Sequence, residues 1–208
     1  QELLYYLREG IKNKQLPDYL PVFLDSPMAI SATEIFQRHS ECFDEETCKI
    51  FMSGKDPFMF PGVNFTRETA DSMAINNIVG GAVLIAGSGM CTGGRIKHHL
   101  KHGLWNRNNT IVFVGFAAYG TLARRIVDGA TQVKILGEDI PVKASVVTIG
   151  GFSAHADQTE LLAWHKLTGN PKTTFLVHGD KKVMPIFAKK LSNAKVEIPE
   201  LHQSFNLD

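Results

Sequence analysis

The sequence predicts an α/β fold built on a largely parallel sheet covered on both faces. Two observations carry that expectation. Short apolar runs rich in β-branched residues recur at residues 21–24, 82–86, 110–114, 144–149 and 173–177. Stretches of helical periodicity follow these runs, and strands alternating with helices are the pattern of parallel βαβ units. A third observation concerns the strand ends. The run at 144–149 leads into Gly150-Gly151-Phe152-Ser153-Ala154-His155-Ala156-Asp157, and the run at 173–177 ends on His178-Gly179-Asp180. Polar groups at the carboxyl ends of strands lie where open α/β sheets bind their ligands.

Taken in order, residues 3–12 read as a helix, because Leu3, Leu4, Leu7 and Ile11 fall on one face. No capping residue precedes it, which leads to the expectation that the chain is a piece of something longer. Residues 21–24 read as a buried strand ending at Asp25-Ser26-Pro27. Ser26 suits the cap and Pro27 the first turn of a helix over 29–42. Residues 44–53 form a third helix stopped by Gly54. Residues 55–65 read as loop, with two prolines and three phenylalanines, and 67–76 as helix. The strand at 82–86 runs into a glycine-rich loop, 87–94, and a helix over 95–101. The strand at 110–114 ends at Gly115 and precedes a helix over 121–127. Residues 133–136 and 140–142 flank Gly137-Glu138-Asp139 as a hairpin. Helices follow at 158–167 and 185–191, and a final edge strand at 196–198.

Composition sets limits. With 208 residues, 44% hydrophobic and 21% charged, the chain resembles an ordinary globular protein of one large domain or two small ones. A net charge of +1 makes no general case for nucleic acid or membrane, so either role would need local charge. Cys42, Cys48 and Cys91 lack metal-ligand spacing and read as reduced thiols of a cytoplasmic protein. No run is long and apolar enough to span a bilayer.

Several constellations are candidates for chemistry, each with an ordinary rival. The loop at 87–94 can bring backbone N–H groups to phosphate, with Arg95 placed to fork onto the anion. It departs from the dinucleotide glycine spacing and lacks Gly-Lys-Ser/Thr, and a tight structural turn explains it equally well. His98, His99 and His102 share a helix with Lys97 and Lys101, which reads as a basic face rather than a metal site. Asp25, Asp157 and Gln158 read as turn or helix-start residues. His155 and His178 can each be a hydrogen-bonded polar group, but as a pair beside glycines they are candidates for one pocket.

Those motifs together resemble the β-CASP nucleases, the RNA- and DNA-processing branch of the metallo-β-lactamase fold. Gly-Phe-Ser-Ala-His-Ala-Asp at 151–157 and Phe-Leu-Val-His-Gly-Asp at 175–180 carry the resemblance. Pro-Val-Phe-Leu-Asp-Ser-Pro-Met-Ala at 21–29 and the loop through Ser88, Gly89, Met90 and Arg95 extend it over nearly the whole chain. The likeness implies a Rossmann-like parallel-sheet β-CASP domain over 1–148. The C-terminal strands and helices of a metallo-β-lactamase domain would follow over 149–208. It implies part of a ribonuclease that hydrolyses RNA phosphodiester bonds, with a non-catalytic RNA-binding or scaffolding relative as the alternative. Two zinc ions are implied in the full-length enzyme and none stably held by this chain, whose upstream ligands are absent. His178 would be a metal ligand, His155 the acid that protonates the leaving oxygen, and Asp25 the acid of the first motif. Ser88, Gly89, Arg95 and Ser153 would contact phosphate. RNA is the implied partner, no membrane is expected, and a homodimer of the full-length protein is left open. Asp180 stands where the family usually has Glu.

Overall fold

A computed structural model describes residues 1–169, 171–191 and 194–207. The chain divides into two compact units, Gln1–Phe152 and Ser153–Asp208. In the first, helix α1 (Glu2–Lys12) buries Leu4 and leads to strand β1 (Val22–Leu24). Helix α2 (Pro27–Arg38) begins as its sequence dictates: Ser26 Oγ accepts the Ala29 N–H at 3.3 Å and Pro27 occupies the first turn. The helix was expected to reach Cys42, but it stops at Arg38. His39 leaves the helical region, and Ser40–Cys42 tightens into a 3-10 turn. That break lets Phe43 meet Phe51 and Phe58 edge-on, with centroids 6.1 and 5.8 Å apart.

Helix α3 (Glu45–Met52) is capped by Asp44, whose carboxylate accepts the Thr47 N–H at 2.8 Å. The expected loop over 55–65 contains a strand, β2 (Val63–Phe65), that sequence reasoning missed. Three residues, Val63-Asn64-Phe65, are too short a run to detect; the strand exists because β1 offers it a parallel edge, Val22 opposite Val63. Gly62 admits that approach. Its φ is +98°, and a Cβ there would lie 2.4 Å from Leu20 O. Helix α4 (Thr69–Ile75) then leads to strand β3 (Val83–Ile85), which pairs with the other side of β1. The order β2-β1-β3 makes a parallel sheet with β1 at its centre. Leu4, Val22, Leu24, Ile30 and Phe58 form the core beside it.

Helix α5 (Ile96–Gly103), strand β4 (Thr110–Val114) and helix α6 (Leu122–Val127) follow. Strands β5 (Gln132–Ile135) and β6 (Glu138–Pro141) form an antiparallel hairpin. Its turn sits at Leu136 and Gly137, with φ of 51° and 87°, so Glu138 and Asp139 belong to the strand rather than to the turn expected of them. Two-residue hairpins of this hand need positive φ at both turn positions, which fixes the register. Strand β7 (Ser145–Ile149) pairs in parallel with β4. Leu100, Leu104, Phe113, Ile126, Val133 and Ile135 are the centre of a second core.

In the second unit, helix α7 (Gln158–Leu167) opens on a complete capping box. Asp157 accepts from Glu160 N and Glu160 accepts from Asp157 N, both at 2.8 Å. Strand β8 (Thr173–Phe175), helix α8 (Met184–Ala188) and strand β9 (Lys195–Glu197) form a parallel β-α-β unit. His165 Nε2 lies 2.8 Å from Thr174 Oγ1, tying α7 to β8, and Phe175 meets Phe205 edge-on at 4.9 Å. The α/β class with parallel strand pairing is thus observed.

Candidate active site

Asp25 ends the central strand, with its N–H donating to Ile85 O at 2.8 Å. Its side chain has no exposed surface. Oδ1 accepts from Thr66 Oγ1 at 2.6 Å and Arg95 Nη1 at 2.7 Å; Oδ2 accepts from Ser72 Oγ and His99 Nε2, both at 2.6 Å. One buried carboxylate therefore joins β1, the segment after β2, α4 and the start of α5. Burial pushes the Asp25 carboxyl up. The bonds from Ser72, Thr66, His99 and Arg95 outweigh it and hold the group at about 2, below its ordinary 3.8. Among the described residues, no buried side-chain polar atom lacks a partner. The enclosed carboxylate orients the elements around it.

Arg95 follows the glycine loop, yet its guanidinium turns inward. Besides Asp25, Nη1 donates to Thr66 O at 2.8 Å and Nη2 to Arg67 O at 2.6 Å. The loop itself folds back so tightly that a Cβ on Gly94 would lie 2.7 Å from Gly87 O. Met90 O accepts the Ala123 N–H at 3.2 Å, and Cys91 is buried in the second core with its thiol pushed up to about 11. Ser88 and Gly89, between these anchors, are exposed. A rigid loop presenting a hydroxyl and backbone N–H groups is suited to an anion.

In the second unit, His155 is exposed just before α7. Its Nδ1 lies 3.1 Å from Ser153 Oγ, which also accepts the His155 backbone N–H at 3.3 Å. When both ring nitrogens carry protons, the form able to act as an acid, Nδ1–H donates to Ser153 Oγ and the Nε2 proton is left for another partner. Both residues line an open cavity of about 530 Å3 with Ala154, Glu160, Leu161 and Trp164. A second cavity, about 460 Å3, lies in the first unit against Ile126, Val142 and Val146, and no ionisable side chain lines it.

His178 follows β8, exposed, with φ of +64°. Histidine tolerates that left-handed region better than most side chains. A Cβ at Gly179 would lie 2.5 Å from Met184 Cγ, so a larger residue there would have to displace that side chain. Asp180 Oδ1 accepts the Lys182 N–H at 2.8 Å. No hydrogen bond joins His155 to His178 among the described residues, and His178 does not line the His155 cavity. No group of three His, Cys, Asp or Glu suited to a metal ion occurs among the described residues. One imidazole is not a four-coordinate zinc site, so these residues by themselves do not fit a metal centre. The three cysteines are free.

The structure thus gathers Asp25 and Arg95 into one network and keeps Ser88 and Gly89 on its neighbouring loop. Sequence reasoning missed three members of that network: Thr66, Ser72 and His99. His99 was expected on a solvated basic face with His98 and His102. Instead it is buried, because the turn that carries Arg95 to Asp25 carries the residue four further on to the same carboxylate. That spacing was the available signal.

The fold and these strand-end loops define an α/β protein whose exposed strand-end groups include histidine, serine and glycine. The Beta-Casp domain family matches residues 1–126, and the family described as the Zn-dependent metallo-hydrolase RNA specificity domain matches residues 139–199. The chain belongs to the Beta-Casp family, on a match covering more than half its length. It is 44% identical over 192 residues to Ribonuclease TTHA0252 of Thermus thermophilus, covering 92% of this chain and 43% of that protein. It is 33% identical over 195 residues to Transcription termination factor FttA of Methanocaldococcus jannaschii, covering 90% of this chain and 30% of that one. The FttA of Thermococcus kodakarensis is 33% identical over 187 residues, 86% of this chain and 28% of the relative. The chain therefore spans between about a quarter and just under half of the length of these relatives.

Proposed function

We propose that this chain is part of a zinc-dependent ribonuclease that hydrolyses RNA phosphodiester bonds. The observation that carries the reading is His155 in its setting: an exposed imidazole held by Ser153 in an open cavity, ahead of a helix start. The region lies within the match to the metallo-hydrolase RNA specificity domain, and one relative bears the name ribonuclease. His155 protonates the leaving oxygen of the cleaved bond, with Ser153 orienting its ring and contacting phosphate. His178 contributes a metal ligand to a centre of two zinc ions whose other ligands lie outside this chain. Ser88 and Gly89 contact the RNA backbone, while Asp25 and Arg95 hold their loop in place. In this reading the β-CASP domain covers 1–148 and the metallo-hydrolase end covers 149–208.

The test is made in a longer polypeptide that contains this chain and cleaves RNA. His155→Ala lowers the cleavage rate by about 100- to 10,000-fold, the usual contribution of a positioned acid, and leaves zinc content unchanged. His178→Ala lowers zinc content together with activity. Loss of zinc on His155→Ala overturns the assignment of roles. Absence of cleavage in every longer form, with RNA binding kept, would favour a non-catalytic RNA-binding member.

A further inference from the structure

The loop leaving β4, residues 115–121, is tied along its whole length. Gly115 N–H donates to Ile149 O at 2.8 Å, adding one bond to the β4–β7 ladder. Its φ of +94° turns the chain out of the strand, and Ala117 then enters the second core. Ala118 N–H points at Met90 Sδ at 3.2 Å. Thr121 Oγ1 donates to Ala118 O at 2.6 Å and caps α6 by accepting the Arg124 N–H at 3.2 Å. Since Met90 also accepts from Ala123, the loop and the glycine loop through Ser88 and Gly89 form one body. Both leave the carboxyl ends of strands with parallel partners, β3 in one sheet and β4 in another, and such ends are where open α/β sheets take ligands.

From this fixed loop Phe116 stands 60% exposed and Tyr119 75% exposed. A phenylalanine ring has no polar atom to compensate for contact with water. A loop anchored at both ends and in its middle does not leave the ring outside through slackness. A large ring held out on a fixed loop is available to a partner. Through Met90 the same loop is joined to the one that carries exposed Ser88 and Gly89. A π-face next to phosphate donors is the pairing that single-stranded nucleic acid uses, one base stacked while the backbone is held.

Resting on the RNA-hydrolysing reading above, we infer that Phe116, with Tyr119 on the same loop, is a stacking platform for a nucleobase of single-stranded RNA whose phosphate lies on Ser88 and Gly89. The platform is tolerant of sequence, because every base has a π-face, and it discriminates against duplex, whose bases are already stacked. It is preorganised, so binding orders little of the protein.

The test uses the full chain, a fluorescein-labelled oligoadenylate and an RNA duplex, with a chelator present so that binding is read without cleavage. Fluorescence anisotropy should show Phe116→Ala weakening the single strand by about 5- to 100-fold, with the duplex affinity unchanged. The dependence on salt should keep its slope, because no phosphate contact is lost. Phe116→Trp should restore affinity, and its added indole emission should fall when the oligomer binds. Unchanged single-strand affinity in Phe116→Ala, or indole emission in Phe116→Trp indifferent to RNA, overturns the platform while leaving the ribonuclease reading intact. Self-association lost in Phe116→Ala with RNA affinity kept assigns the ring to a protein contact and also overturns it. A wild-type chain that binds neither RNA sinks the RNA reading and the platform together.

Discussion

Replacing Asp25 with asparagine keeps the shape of the buried side chain and removes its charge. In the wild type, four donors converge on two carboxylate oxygens. Asparagine offers one oxygen and an NH2 that faces donors, so part of the network meets like against like. The depression of the carboxyl from 3.8 to about 2 corresponds to about 2 kcal/mol of stabilisation specific to the charged form. Asp25→Ala, which leaves Arg95 and His99 without their anion, should cost more, about 3–5 kcal/mol. The measurement is urea unfolding followed by circular dichroism, repeated from neutral to acid pH. Because the folded value is the lower one, the contribution is fully present well above 3.8 and is lost as pH falls towards 2. The gap between wild type and Asp25→Asn should therefore be constant near neutrality and close below about pH 4. A gap at neutral pH within about 0.5 kcal/mol, the range of ordinary surface changes, would refute the claim that the carboxylate organises these elements.

Two further substitutions test how the site is built. Gly62→Ala should destabilise the protein by about 2–3 kcal/mol in the same unfolding assay, because positive φ and the nearby Leu20 carbonyl both oppose a Cβ. Asp157→Ala removes the capping box ahead of α7 and should cost about 1 kcal/mol. Hydrogen exchange at the Glu160 amide should quicken in that variant, and unaltered exchange there would mean the cap does not hold the His155 turn.

The family resemblance was readable because its motifs are contiguous. Phe-Ser-Ala-His-Ala-Asp at 152–157, the Asp25-Ser26-Pro27 strand end and the glycine loop each lie within a few residues, and their local physics is independent of the rest. Ser26, Asp44 and Asp157 cap helices as their side chains dictate. The strand at 110–114 matches its apolar run residue for residue. Strand β2 was not legible, since its three residues become a strand only through pairing with β1.

By itself, then, the sequence determined the α/β class, the helix starts and the strand-end loops that bear His155, His178, Ser88 and Gly89. Each follows from hydrogen bonds and periodicity within a turn or two of chain. Only the tertiary structure decided where the polar groups go once water is excluded. It brought His99 to Asp25 across 74 positions, turned Arg95 inward and left Phe116 outside. A buried carboxylate must collect donors from whatever segments surround it, and those segments become neighbours only when the sheet forms.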